Sequence, residues 1–249
     1  LFFSDSGKVF QCFVWEIPEM GRATKGRGLL NFLEISQNEK ILSLIPYSKQ
    51  DEADTSKFLV MATKNGIIKK TELSAFKNVR KNGLLAIKLQ PGDSLKSAKI
   101  IDKNVEIIII SKLGQSIRFK NADVRPMGRG SSGVHGMKIG KGDEIIVMDD
   151  IKPKIEGKNH LLIITENGYG KRTKLEEYRL QKRGGSGIKA AKITDKNGEI
   201  VFSKVLSEED ADLIVISTKG QVIKSEIKSI SVIGRASSGV RIMKLKAGD

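Results

Sequence analysis

"HLLIITENGYGKRT", His160 to Thr173, sets an apolar run against a second β-rich run across a polar turn that closes on Gly168. Glycine supplies the positive φ that a tight hairpin demands, so the stretch reads as two antiparallel strands. Four other stretches have the same form: "LFFSDSGKVFQCF" from Leu1, "FLVMATKNGIIKKT" from Phe58, "EIIIISKLGQSIRF" from Glu106 and "DLIVISTKGQVIKS" from Asp212. Their turn glycines are Gly7, Gly66, Gly114 and Gly220.

A second glycine recurs downstream. Gly26, Gly133, Gly187 and Gly239 each follow their turn glycine by 19 residues, and Gly83 follows Gly66 by 17. Each precedes another strand-like segment: "LLNFLEI", "LLAIKLQ", "VHGMKIG", "IKAAKIT" or "VRIMKLK". A fourth β-rich run, as in "EIIVMDDI" and "GEIVFSKVL", completes most repeats. Four strands per unit, at a period of roughly 50 residues, predict an all-β, propeller-like array with little helix. The repeats fall at roughly 1–50, 57–102, 105–151, 160–206 and 212–249, and the 249 residues are read as one such domain. The first repeat starts inside its first strand and the fifth stops before its fourth, so strands from residues beyond this chain are expected to complete the array.

Composition says what the array meets. There are 44 Lys and Arg against 29 Asp and Glu, a formal charge of +15, so polyanions are the expected partners. Aromatic residues make up only 5%, too few for a base-stacking platform, which leaves a backbone of phosphates as the expected ligand. Cys12 is the single cysteine, which excludes an intramolecular disulfide or a thiolate zinc cluster and suits a reducing cytoplasm. The longest apolar run, "VEIIII" from Val105, is far too short to span a bilayer.

The basic charge is concentrated in loops. Four residues before the second glycine stands an arginine in four of the five repeats: Arg22, Arg129, Arg183 and Arg235, in "GRATKGRG", "GRGSSG", "KRGGSG" and "GRASSG". The first loop adds Lys25 and Arg27. The second repeat has Val79 in the slot, with Arg80 and Lys81 beside it. Small residues let the backbone approach a phosphate, while Arg and Lys supply charge-assisted hydrogen bonds. One such turn is ordinarily a solvated loop. Repetition at constant offset argues for a ligand, because folding alone explains the glycine and has no evident need for the arginine. Between Gly168 and Lys192 stand eight basic residues, including Lys171, Arg172, Lys174, Arg179, Lys182 and Arg183, against Glu176 and Glu177 alone. Arg125 joins the candidates from the third repeat. Acidic residues gather at repeat junctions, in "DEAD" from Asp51 and "EEDAD" from Glu208.

Two apparent motifs fail. "GRGSSG", Gly128 to Gly133, matches a dinucleotide fingerprint with Asp149 and Asp150 at ribose-binding distance, but "VHGMKIGKGDEIIV" after it alternates like strands, so the obligatory helix is missing. His135 and His160 belong to no metal-spaced pair or nucleophile motif and read as surface or packing residues.

At these residues the chain closely resembles the C-terminal domain of the DNA gyrase A subunit, in the type IIA topoisomerase family. "QKRGGSG", the loop Gln181, Lys182, Arg183, Gly184, Gly185, Ser186, Gly187, resembles that family's Gln-Arg-Arg-Gly-Gly-Lys-Gly box, departing at Lys182 and Ser186. "TENGYGKRT" and "IPEMGRATKGRGLLNFL" resemble segments of later blades. The resemblance implies a six-bladed β-pinwheel whose strands are exchanged between blades and whose basic perimeter bends and wraps duplex DNA. It implies that the box proper lies upstream of Leu1. It also implies a domain without catalysis or a cofactor of its own. The holoenzyme uses ATP and Mg, and neither Tyr47, Tyr169 nor Tyr178 takes the cleavage role. Partners would be duplex DNA, the B subunit of gyrase, plus the remainder of its A subunit, in a bacterial cytoplasm at the nucleoid, with no membrane. Two other readings stay open: the related C-terminal domain of topoisomerase IV, serving decatenation, and a basic propeller scaffold for acidic proteins.

Overall fold

The computed structural model of the chain describes residues 1–21, 23–152, 160–206 and 212–245. Arg22, and all of the acidic junction from Glu208 except Asp212, lie outside the described residues.

The chain is built of antiparallel strands in a repeating order. Strands β1 (Phe2–Ser4) and β2 (Lys8–Phe10) form the first hairpin, and β3 (Ile41–Leu44) adds beside β1. A five-residue helix, α1 (Lys49–Ala53), is capped by Ser48 Oγ, which accepts from Asp51 N at 3.2 Å. Strands β4 (Lys57–Thr63) and β5 (Ile67–Glu72) form the second hairpin, followed by the two-residue β6 (Leu84–Leu85) and the long β7 (Leu95–Asp102). The third repeat supplies β8 (Glu106–Ser111), β9 (Gln115–Lys120), β10 (Val134–His135) and β11 (Ile145–Ile151). The fourth supplies β12 (His160–Thr165), β13 (Tyr169–Lys174), β14 (Ile188–Lys189) and β15 (Ile200–Val205). The fifth supplies β16 (Asp212–Ile216), β17 (Val222–Glu226) and β18 (Val240–Arg241).

The sheets do not coincide with the repeats. Their orders are β3-β1-β2-β6, β10-β5-β4-β7, β11-β8-β9-β14, β15-β12-β13-β18 and β16-β17. Each four-stranded sheet therefore takes three strands from one repeat and its short outer strand from the next. The simple reading of four strands from one repeat is corrected by this exchange, which only the family resemblance implied. The segment "LLNFLEI" is corrected too. Leu29–Asn31 forms a 3-10 turn instead of a strand.

Four sheets carry a register shift where the first hairpin strand meets its long neighbour, at Phe3/Ser4, Ala62/Thr63, Ile145/Val147 and Ile164/Thr165. In two of them an aspartate latches the turn. Asp143 accepts from Ser111 Oγ at 2.6 Å and from Leu113 N at 2.8 Å, and Asp93 accepts from Thr63 Oγ1 at 2.6 Å and Asn65 N at 3.0 Å.

The chain divides into two compact units, one of residues 1–103 with 124–134 and one of residues 104–123 with 135–249. The core of the first gathers Phe3, Val9, Leu59, Met61, Leu73, Phe76 and Ile87. In the second, Ile108 and Ile110 pack with Leu161 and Ile163, whereas Leu162 and Ile164, on the opposite face of β12, pack with Leu206, Ile227 and Ile230. Alternate residues of one strand thus serve two different layers, which is why these runs are apolar throughout and lack a period of two. The hairpin β16–β17 is covered on one face only, with Ile214 and Ile216 more than 60% exposed.

Candidate nucleic-acid interface

The basic loops of the third, fourth and fifth repeats are fixed at both ends to the preceding repeat. A lone parallel bridge holds the entry: Lys70 with Pro126, Arg118 with Leu180, Arg172 with Val232. The exchanged strand holds the exit, at Gly133, Gly187 and Gly239. Gly187 shows why the glycine spacing is constant. Its φ is +77°, and a Cβ there would lie 2.2 Å from the carbonyl oxygen of Ser116, so the strand can cross the neighbouring hairpin only without a side chain.

The arginines of this slot help to build the loops that carry them. Arg183 Nε donates to Asp123 O at 2.9 Å and its Nη1 to His135 O at 3.0 Å. Arg235 Nη1 donates to Lys189 O in the same way, two residues beyond the preceding repeat's exchange glycine. The expectation that folding has no need for these arginines is corrected at both positions. Arg129 is half-buried, and no side-chain partner is seen for it among the described residues.

Lys171 is corrected as a phosphate contact. It is 1% exposed, and its ammonium donates to Gly234 O at 3.1 Å, Arg235 O at 2.5 Å and Ser237 O at 3.2 Å. Burial pulls its pKa down to about 8. Lys69, absent from the sequence candidates, does the same in the second repeat: fully buried, it donates to Ala86 O at 2.7 Å and to Arg129 O, and burial lowers its pKa to about 8. The signal that would have found both is positional. Three residues after the turn glycine, the other repeats carry Phe10, Ile117 and Ile223, which marks an inward slot. Arg172 is likewise committed, with Nε on Ile230 O at 2.8 Å and Nη2 on Lys228 O at 2.9 Å.

The remaining candidates face solvent. In the first unit Lys25, Arg27, Arg80, Lys81 and Arg125 are exposed, with Lys81 paired to Glu16 at 2.6 Å. In the second, Lys174 and Arg179 are exposed on the approach to the box-like loop and Lys182 within it. That loop is held by its backbone. Gln181 N donates to Arg118 O at 2.7 Å, Gly184 N to Gly136 O at 2.7 Å, and Gly185 O accepts from Lys138 N at 2.9 Å. Ser186 is exposed.

The dinucleotide-like stretch is followed by a strand and not by a helix. "GRGSSG" runs into β10, and Asp149 lies buried in β11 with its carboxylate accepting from Val205 N at 2.7 Å. Among the described residues no group of His, Cys, Asp and Glu could hold a metal ion, and no helix is long and apolar enough to cross a membrane. The first unit also has an apolar groove of about 610 Å³ along Phe13, Trp15, Leu44, Pro46 and Tyr47, with the Phe13 and Trp15 rings stacked at 4.3 Å.

Beside this geometry, the likeness to known proteins is specific. The family model for the DNA gyrase C-terminal domain, beta-propeller, matches residues 1–48, 57–102, 106–149, 159–207 and 211–249. The DNA gyrase A subunit of Staphylococcus epidermidis is 39% identical over 248 residues, all of this chain and 27% of that protein. Its Staphylococcus aureus counterpart is 36% identical over 245 residues, covering 98% of this chain and again 27% of that protein, so the chain spans about a quarter of these relatives. A solved DNA gyrase A C-terminal domain superposes with a TM-score of 0.83 at 29% identity, covering 99% of this chain and 78% of that one. The C-terminal domain of DNA topoisomerase IV superposes at 0.85 with 24% identity, over 98% and 74%, a likeness of fold.

Proposed function

The chain belongs to the DNA gyrase C-terminal domain family, and on that premise we propose that it binds, bends and chirally wraps duplex DNA along its basic loops. The wrapped segment is presented to the gyrase core for ATP-dependent negative supercoiling. The observation that carries this is the loop itself: a basic, glycine-rich tooth repeated at constant offset and fastened to its neighbour's backbone, with Lys174, Arg179 and Lys182 left exposed to meet phosphates.

The chain does no chemistry in this reading. Burial raises the pKa of the Tyr178 phenol, at 1% exposure, which suits a packing tyrosine and not a nucleophile. Cleavage, ATP and Mg belong to the remainder of the gyrase holoenzyme, its two other portions being the rest of the A subunit, which cuts DNA, with the B subunit, which binds ATP. These are the partners of the chain at the bacterial nucleoid in the cytoplasm. The regular arginine loops and "NGYGKRT" favour supercoiling over the decatenation of a topoisomerase IV domain.

Affinity for mixed-sequence duplex DNA, measured against salt, tests the proposal. Each neutralised phosphate contributes about −0.9 to the slope of log affinity on log salt, so one contact per loop gives a slope steeper than roughly −4. Binding should also shift the topoisomer distribution of circular DNA relaxed in its presence. A flat salt profile, or dependence on one short sequence, refutes it.

A further inference from the structure

Two basic loops are fastened from beneath by a buried lysine, and the loop between them is not. Lys69 reaches Arg129 O, and Lys171 reaches Arg235 O. In the third repeat the slot is Ile117, and the box-like loop is pinned through Gly184 N instead. The two stapled loops share a turn as well: Ser131 Oγ donates to Gly128 O at 2.8 Å and Ser237 Oγ to Gly234 O at 2.7 Å.

In a trans peptide the carbonyl and the next N–H point in opposite directions. The carbonyls of Arg129 and Arg235 turn toward the buried ammonium, so the amides of Gly130 and Ala236 turn away from it. Both residues are exposed, and neither N–H has an acceptor among the described residues. Each loop thus offers an outward amide, beside an arginine, over a buried positive charge. Such a backbone concavity is suited to an anion. With pKa values of about 8, both lysines still carry their charge at pH 7.

We propose that the amides of Gly130 and Ala236 are phosphate-binding donors, positioned by Lys69 and Lys171, each holding one backbone phosphate of duplex DNA. The inference rests on the DNA-binding reading above and adds the atoms and their support. The two sites are unequal. Glu177 Oε2 accepts from Arg235 N at 2.8 Å, setting a carboxylate next to the Ala236 amide, whereas among the described residues no carboxylate bonds an amide of the Arg129 loop. Gly130 is therefore the stronger site.

The test uses the ¹⁵N-labelled chain and a short mixed-sequence duplex. Amide resonances of Gly130 and Ala236 should shift on DNA addition, Gly130 at the lower concentration. Lys69→Met with Lys171→Met should abolish both shifts and make the salt slope shallower by roughly 2, from two lost phosphates. Lys103→Gln with Lys196→Gln, the same charge change on exposed lysines outside the loops, should leave both amides responsive. Unshifted Gly130 and Ala236 amides in a wild-type chain that binds DNA overturn the inference, as does a folded double Met variant with the wild-type slope. If the Met variant fails to fold, the wild-type amide shifts decide alone. A wild-type chain that does not bind duplex DNA refutes the DNA-binding reading itself, a distinct outcome.

Discussion

The ammonium of Lys171 lies 2.5 Å from the carbonyl oxygen of Arg235, so a buried cation of one repeat supports the exposed basic loop of the next. Burying a charge is costly unless every donor finds an acceptor, and three carbonyls and a serine hydroxyl meet this one.

That cost gives a pH signature. The folded-state pKa of Lys171 is about 8 against an unfolded value near 10.5, so between these values the unfolded chain binds more protons than the folded one. Stability therefore rises with pH in that window. Below pH 8 both states are protonated and the full burden of the buried charge is present. Relative to Lys171→Met, the wild type should gain up to about 3 kcal/mol from pH 8 to pH 10.5, read from urea unfolding at each pH. A gap that is constant with pH contradicts the assignment.

Gly187 and Gly185 separate backbone necessity from loop softness. Gly187→Ala forces a side chain at φ +77° against Ser116 O, and should cost more than about 2 kcal/mol. Gly185→Ala meets only Ile117 Cδ1 at 3.7 Å and Gly187 N at 4.0 Å, and should fall within about 0.5 kcal/mol of wild type. Equal losses in chemical denaturation would show that the exchanged strand does not depend on the glycine.

The arginines divide by role. Arg183→Gln with Arg235→Gln removes donors from the carbonyls of Asp123, His135 and Lys189, and should cost about 1–3 kcal/mol per site as well as weakening DNA binding. Arg179→Gln with Lys182→Gln touches exposed side chains, so stability should hold while the salt slope becomes shallower by up to about 2. Thermal unfolding and DNA titration of the same two variants distinguish these outcomes.

Asp143 should matter out of proportion to its exposure. Asp143→Ala strips the acceptor from Ser111 Oγ and Leu113 N, and a loss of about 1–3 kcal/mol is expected in urea unfolding. A neutral substitution would mean that water replaces the latch without penalty.

The hairpins were legible because each turn glycine is flanked by β-rich runs, and all five form. Which sheet an outer strand joins was not legible from local pattern. Ile188–Lys189 has only two paired residues, and its destination is decided by the backbone of Gln115 and Ser116, far away in sequence. The loops were found by their spacing, but Lys171 was misread because its neighbours Arg172 and Lys174 made it look like one of a solvated cluster. Its strand parity, shared with Tyr169 and Thr173 on the inward face, carried the opposite message.

Strand exchange also puts the unit of heredity out of step with the unit of folding. A copied repeat of roughly 50 residues carries three strands of one sheet and the edge of another, so a duplication inserted between existing repeats arrives already interlocked at both ends. Excising one repeat removes the outer strand from the sheet before it but leaves the short strand of the following repeat to take that edge, so the array can gain or lose whole repeats wherever neighbouring edges are interchangeable.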